Sequence, residues 1–275
     1  MTEQINNWKD LFPKEKRYFE TEKGILYCAD CLEVLRQIPD NIIDCVITSP
    51  PYNIGVEYDN TQDFISWKDY WNFMKQVLKE LYRILKPGGR ACFVIGLSTK
   101  NDRHPSDAYL IYYAEEVGFK HRDRIVWYKK GVAKRTAWGT FDSARCPYVI
   151  TPCEFIIVFS KKDFKKLPEE KSDMTKEEFI QYTYGWWDVS RANKKHHPAE
   201  FPEEIPKRLI KLYTYIGDII LDPFVGSGTT AIACEKINRR WIGIDISQKY
   251  CEVAKKRIIE EALKMNKSLQ LYFRK

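Results

Sequence analysis

Ile219-Ile220-Leu221-Asp222-Pro223-Phe224-Val225-Gly226-Ser227-Gly228-Thr229-Thr230 is the stretch that decides the fold. Three branched apolar residues in a row read as a buried strand. Pro223, Gly226 and Gly228 then break it, and Thr229 to Asn238 continues as a helix. Trp241-Ile242-Gly243-Ile244-Asp245 reads as the next strand. Gly226 and Gly228 allow the backbone to approach a ligand closely, and the helix start beyond them offers free N–H groups. Asp245 stands 19 residues after Gly226. In nucleotide-binding βαβ units an acid at about this distance accepts hydrogen bonds from ribose hydroxyls. A nucleoside-bearing ligand is therefore expected here.

Working outward, strands and helices alternate. Gly24 to Asp30, Asp44 to Thr48, Ala91 to Ile95, Arg124 to Tyr128 and Phe155 to Phe159 read as strands. Phe64 to Leu85 is an amphipathic helix, with Trp67, Trp71, Met74, Leu78, Leu81 and Leu85 at three- and four-residue steps; Lys86-Pro87-Gly88-Gly89 stops it. Tyr109 to Val117, Pro202 to Tyr215 and Gln248 to Met265 are further helices. Met1 to Phe19 reads as a charged arm, and Lys161 to Lys195 as a charged insertion or linker. Such alternation predicts a mostly parallel sheet with helices on both faces, within one domain spanning residues 1–275.

Composition limits the function. The chain has no G-K-[ST], which disfavours a phosphate-cradling loop, and no full G-x-G-x-x-G, which disfavours a dinucleotide. S-adenosylmethionine has ribose and adenine without phosphate, and its sulfonium would favour a nearby acid such as Asp222. The formal charge is +7, and Lys120 to Arg145 holds eight basic residues against two acidic ones. A polyanion partner suits that distribution, as does a solvated charged face. Eight cysteines, with Cys28 and Cys31 the only pair at C-x-x-C spacing, fit reduced buried thiols better than zinc, so no metal is expected. No apolar run approaches membrane-spanning length and the polar start lacks a signal segment, so the expected location is the cytoplasm.

Thr48-Ser49-Pro50-Pro51-Tyr52-Asn53 follows a buried strand, at the end where open α/β sheets bind ligands. Its residue types suit methylation of an exocyclic amine. That nitrogen is a poor nucleophile because its lone pair is delocalised into the ring. Acceptors around the NH₂ can draw its hydrogens out of plane and free the lone pair. Ser49 Oγ can accept one N–H and the Pro50 carbonyl another, with Pro51 stiffening the turn. Tyr52 offers a flat face for a base taken out of the duplex.

With these residues in view, TSPPYN followed downstream by DPFVGSGTT closely resembles the β-class amino-methyltransferases of DNA, in which the catalytic motif precedes the cofactor motif. The resemblance runs from about Gly24 to Lys256. It implies a Rossmann-like methyltransferase fold of permuted motif order. It also implies S-adenosylmethionine bound by Phe224, Gly226, Gly228, Thr229, Asp222 and Asp245, with Asp30 near the adenine. His197-Pro198-Ala199-Glu200-Phe201-Pro202 resembles the family segment flanking the methionine moiety, which adds His197, Phe201 and Pro202. Serine at the first motif position is typical of N4-cytosine enzymes and aspartate of N6-adenine enzymes, so cytosine N4 is expected and adenine N6 is the alternative. RNA or protein-glutamine methylation is a more distant one. The family's target-recognition region falls at roughly 129–195, where Lys129, Lys130, Lys134, Arg135, Trp138 and Arg145 are expected to meet double-stranded DNA. A restriction–modification setting with a cognate endonuclease, and a homodimer, are further implications. Trp127 and Tyr128 read as core.

Overall fold

The computed structural model describes residues 7–53, 57–58, 61–62, 65–96, 104–129, 143–145, 151–192 and 201–272. A 3-10 turn, Trp8–Leu11, leads into β1 (Arg17–Glu20), β2 (Gly24–Cys28), α1 (Cys31–Leu35) and β3 (Ile43–Thr48). After the two-residue strands β4 (Glu57–Tyr58) and β5 (Thr61–Gln62) come α2 (Trp67–Ile84), β6 (Leu85–Ile95), α3 (Ser106–Val117), β7 (Phe119–Tyr128) and β8 (Cys153–Lys161). The chain continues through α4 (Lys176–Tyr182), β9 (Trp186–Asp188), α5 (Glu204–Tyr213), β10 (Ile219–Asp222), α6 (Thr229–Lys236), β11 (Arg240–Asp245) and α7 (Gln248–Tyr272).

Among the described residues, nine strands form one sheet in the order β1-β2-β11-β10-β3-β6-β8-β7-β9. Five neighbouring strands, from β2 to β6, run parallel. β1 at one edge is antiparallel to β2, and β8 is antiparallel to both β6 and β7. The expected α/β architecture with a mostly parallel sheet is the one observed.

Strand alternation divides the core between two faces. Ile43 and Val46 of β3, with Ala91, Phe93 and Ile95 of β6, pack in one cluster with residues of α1, α2 and α3. Cys45, Ile47, Cys92 and Val94 point the other way, into a second cluster with α5, α6 and α7. Every residue of β3 is buried, as a strand covered on both sides must be. Ser66 caps α2 by accepting from Asp69 N, and Tyr70, Trp71, Met74, Val77, Leu78 and Leu81 line its buried face. Full burial of a side chain such as Phe93 or Leu78 stabilises by roughly 1.5–3 kcal/mol.

Several expectations need correction. The expected N-terminal arm contains β1, whose ladder on β2 makes it the edge strand of the sheet. The expected insertion or linker at 161–195 is structured over 161–192: α4 has a capping box at Thr175 and Glu178, and β9 pairs with β7. Trp187 of β9 is fully buried, which anchors a segment whose charged composition hides it. Lys86-Pro87-Gly88-Gly89 does end the helix, yet it lies within β6 as an irregularity: Ile43 faces Leu85, whereas Cys45 faces Arg90. Among the described residues no helix is long and apolar enough to cross a membrane.

Candidate active site

From β3 the chain proceeds to β6 on one side, and from β10 to β11 on the other. The sheet therefore reverses its winding between β3 and β10, and the carboxyl ends at such a switch point form a ligand crevice. Ser49 follows β3 and Asp222 ends β10. Thr48 Oγ1 donates to Asp222 Oδ1 at 2.7 Å, across 174 residues of sequence. The serine–diproline–tyrosine corner and the glycine turn are thus joined at one end of the sheet.

On the turn side, two glycines adopt left-handed backbone, Gly226 at φ 51° and Gly228 at φ 84°. A Cβ on Gly228 would lie 3.0 Å from Ala254 Cβ, so a larger residue would meet both strain and α7. Asp245 Oδ2 accepts from Gly226 N and its Oδ1 from Ser247 N, both at 2.9 Å. Burial raises the Asp245 pKa above the usual aspartate value, and these two N–H groups work against the shift. Asp245 lies opposite Cys28 on β2, so Asp30 stands at the adjacent strand end. There Asp30 Oδ1 accepts from Leu32 N at 2.7 Å and caps α1.

Asp222 is buried beneath both loops. Besides Thr48 it accepts from Thr230 Oγ1 at 2.7 Å and Phe224 N at 3.2 Å. Burial pushes its pKa up to about 6, against the pull of those bonds. Its carboxylate therefore ties the two loops together from below. Phe224 is half-buried, its ring 6.2 Å from that of Phe73. Thr229 is buried, and Arg257 of α7 clamps the turn through Ser227 O at 2.7 Å and Thr229 Oγ1 at 3.4 Å. Arg257 was not foreseen, because nothing in its local sequence marks it. Phe201 is buried in the α5–α7 cluster that also contains Val225 of the turn, and the Pro202 carbonyl accepts from Ile205 N at the start of α5. His197 lies outside the described residues.

On the other side, Ser49 and Tyr52 are half-buried and Pro50 is buried. Ser49 Oγ donates to the Tyr52 hydroxyl at 3.0 Å. Tyr70 of α2 donates to the Pro51 carbonyl at 2.8 Å, engaging that oxygen and leaving the Pro50 carbonyl as the acceptor expected for an amine. Asn53, at φ 54°, clamps Ile65 through two 2.9 Å bonds, Nδ2 to Ile65 O and Ile65 N to Oδ1. The clamp fixes the corner where the chain leaves it. Tyr70 and Asn53 were missed in sequence because each acts through a backbone group remote in the chain.

The expected DNA contacts divide. Lys130, Lys134, Arg135 and Trp138 lie outside the described residues. Arg145 is exposed. Lys129 departs from expectation: its ammonium pairs with Glu154 of β8, both side chains are mostly buried, and it sits 4.8 Å over the Trp127 ring. Its charge is neutralised within the protein instead of facing solvent. Upstream, Arg124 pairs with Asp107, and Arg122 with Asp123 at 3.2 Å, so part of the basic run is also engaged internally. Trp127 is core, as expected, and donates to Val189 O at 2.8 Å; Tyr128 is half-buried and stacks on the half-exposed Trp186. Cys28 and Cys31 are free thiols, and among the described residues no cluster of three or more His, Cys, Asp or Glu could hold a metal ion.

The chain is 43% identical over 159 residues to the type II methyltransferase M.MjaVI of Methanocaldococcus jannaschii, covering 58% of this chain and 82% of that protein. It is 31% identical over 242 residues to the type II methyltransferase M.HpaI of Haemophilus parainfluenzae, covering 86% and 74%. In structure it resembles a putative DNA modification methylase of Thermus thermophilus, TTHA0409, solved with S-adenosyl-L-methionine, at TM-score 0.69 and 29% identity over 86% of this chain and 95% of that one. The family model described as DNA methylase matches residues 43–256, which contain the β3 corner, the β10 turn and Asp245. The chain belongs to that DNA methylase family, the β-class amino-methyltransferases acting at N4 or N6.

Proposed function

We propose that this protein transfers a methyl group from S-adenosylmethionine to the exocyclic N4 amine of a cytosine flipped out of duplex DNA. The observation that carries the reading is the Thr48–Asp222 bond, which sets the Ser49–Tyr52 corner beside the Asp222–Gly228 turn. The donor chemistry fits the cofactor. Asp245 and Asp30 offer carboxylates at adjacent strand ends for ribose and adenine groups, and Phe224, Gly226 and Gly228 supply a close backbone approach. When bound, the sulfonium supplies an electrophilic methyl carbon and leaves as the neutral thioether of S-adenosylhomocysteine.

The protein's own residues do the rest. Ser49 Oγ and the Pro50 carbonyl accept the two amine hydrogens, turning the nitrogen lone pair out of the ring plane. Tyr52 stacks on the base, a contact of roughly 1–3 kcal/mol on such platforms. As the N–C bond forms, the amine becomes cationic, and the proton it then loses passes to solvent water. Preorganised acceptors favour that developing charge without reorganising.

Serine at position 49 supports cytosine N4, by its resemblance to the N4 enzymes of the family. Arg145 and the basic residues beyond Lys129 are proposed to hold the DNA, within a single catalytic domain that works as a homodimer beside a cognate restriction endonuclease. DNA methylated by the purified protein should be digested to nucleosides and analysed by mass spectrometry. N4-methyldeoxycytidine is the expected product. N6-methyldeoxyadenosine would move the chain to the other branch of its family, and label in RNA or protein alone would end the DNA reading.

A further inference from the structure

We propose that Tyr52 and Glu154, the latter paired with Lys129, form a hydrogen-bond relay that fixes Ser49 as an acceptor toward the substrate amine. The proposal rests on the amine-methylation reading above and deepens it. A serine hydroxyl is ambivalent, since it can donate one hydrogen and accept others. A hydroxyl that donated to the target nitrogen would occupy the lone pair that must attack the methyl carbon. An aspartate at that position could only accept. A serine needs its hydrogen sent elsewhere, and the Tyr52 hydroxyl lies within hydrogen-bond reach at 3.0 Å.

Glu154 enters from β8, a different strand from β3, which Ser49 follows. Its two carboxylate oxygens have separate partners: Oε1 pairs with the Lys129 ammonium, and Oε2 faces the Tyr52 hydroxyl at 3.5 Å. A carboxylate held by an ammonium only accepts, so Tyr52 must donate to it. The Tyr52 oxygen is then an acceptor for Ser49, whose Oγ lies 3.0 Å away. Every hydrogen along the chain points from Ser49 toward Glu154, which leaves the Ser49 lone pairs for an incoming N–H. Bonds of this kind are often long before substrate binds and tighten afterwards. Polarisation along a part-buried chain strengthens each member.

Gly96 at the end of β6 makes room for the arrangement. A Cβ there would stand 3.3 Å from Glu154 Oε1 and 3.4 Å from Tyr52 Cε2. Glu154 and Lys129 are positioning residues in this scheme, acting on the amine only through Tyr52 and Ser49. Lys129, by sequence a candidate for DNA phosphate, acquires a different task.

Tyr52→Phe tests the relay with little disturbance, because it keeps the stacking ring and the Lys129–Glu154 pair and removes only the hydroxyl. Glu154→Gln and the double variant complete a cycle. Three quantities are measured: the single-turnover rate of radiolabelled methyl transfer to DNA, the Kd for S-adenosylmethionine, and the Kd for DNA. Each single variant should transfer about tenfold more slowly, the rate equivalent of one net hydrogen bond, with both Kd values held within about twofold. The double variant should be no slower than the worse single one, because both remove the same directional constraint. A Tyr52→Phe enzyme with the wild-type rate would overturn the relay. So would additive losses that track weaker binding, which would mark Glu154 as packing only. If Glu154→Gln does not fold, Tyr52→Phe decides alone. The base methylated by the wild type is scored separately: a methylated adenine would refute the cytosine reading while leaving the relay intact.

Discussion

The two loops that meet between β3 and β10 are held in opposite ways. The glycine turn is fixed by carboxylates that receive backbone N–H groups: Asp245 from Gly226 and Ser247, Asp222 from Phe224. None of those hydrogens can rotate away, so the turn is a rigid cradle. The Ser49–Tyr52 corner is stiffened by two prolines, but its working groups are hydroxyls, whose hydrogens turn freely unless something directs them. A cofactor site can be built from backbone geometry pinned by carboxylates, which have no hydrogen to direct. An amine site built on serine needs side chains from elsewhere to decide which way a hydrogen points.

Removing the proposed amine acceptor should have the largest effect. Ser49→Ala should lower single-turnover transfer by roughly 100- to 1000-fold, by analogy with the loss of one preorganised transition-state partner, while cofactor affinity stays near wild type. A rate within a few-fold of wild type would erase the distinction between the two loops.

Asp245→Ala probes the other side. Loss of a charged hydrogen-bond acceptor of about 1.5–3 kcal/mol predicts a Kd for S-adenosylmethionine raised by about 10- to 100-fold, read by calorimetry. Methyl transfer at saturating cofactor should fall far less. A variant that binds normally but turns over slowly would reverse the assignments.

Asp222, which joins the loops, yields a pH signature. Its folded pKa of about 6 lies above the ordinary 3.8. Between those values the folded chain keeps a proton that the unfolded chain has lost. Its contribution to stability is therefore largest at low pH, declines as pH rises through this window, and is level above it. Asp222→Asn cannot ionise and should not show the decline. Relative to that variant, wild type should lose on the order of 2 kcal/mol between about pH 4 and about pH 7, measured by urea unfolding. A constant difference would mean that Asp222 is not perturbed by burial.

The smallest effect is expected at Arg145. Arg145→Ala should weaken DNA binding modestly and reduce the slope of log K against log salt by about 1, as loss of one phosphate contact does. Lys129→Ala should leave that slope unchanged, because its charge is already paired with Glu154. Equal slopes for the two variants would restore Lys129 to the DNA surface.

Much of the site was legible because its parts are local. Strand, glycine turn, helix and terminal acid occupy a single stretch from Ile219 to Asp245, and the Ser49–Tyr52 corner is contiguous. Glu154, Tyr70, Asn53 and Arg257 were not legible, since each acts on a group 12 or more residues away or on another element. The segment around Trp186 and Trp187 misled for a related reason. Its charged composition reads as linker, yet one buried indole and a short ladder on β7 suffice to draw it into the sheet.

Periodicity and turn chemistry in the sequence determined the α/β architecture and the positions of the Asp222–Gly228 turn and the Ser49–Tyr52 corner, since those depend on neighbours along the chain. Tertiary structure alone decided that Lys129 pairs with Glu154, and that Asp222 lies under both loops with a raised pKa. The physical reason is that a side chain's charge state and hydrogen-bond direction are set by what packs against it, and packing partners come from strands far apart in sequence.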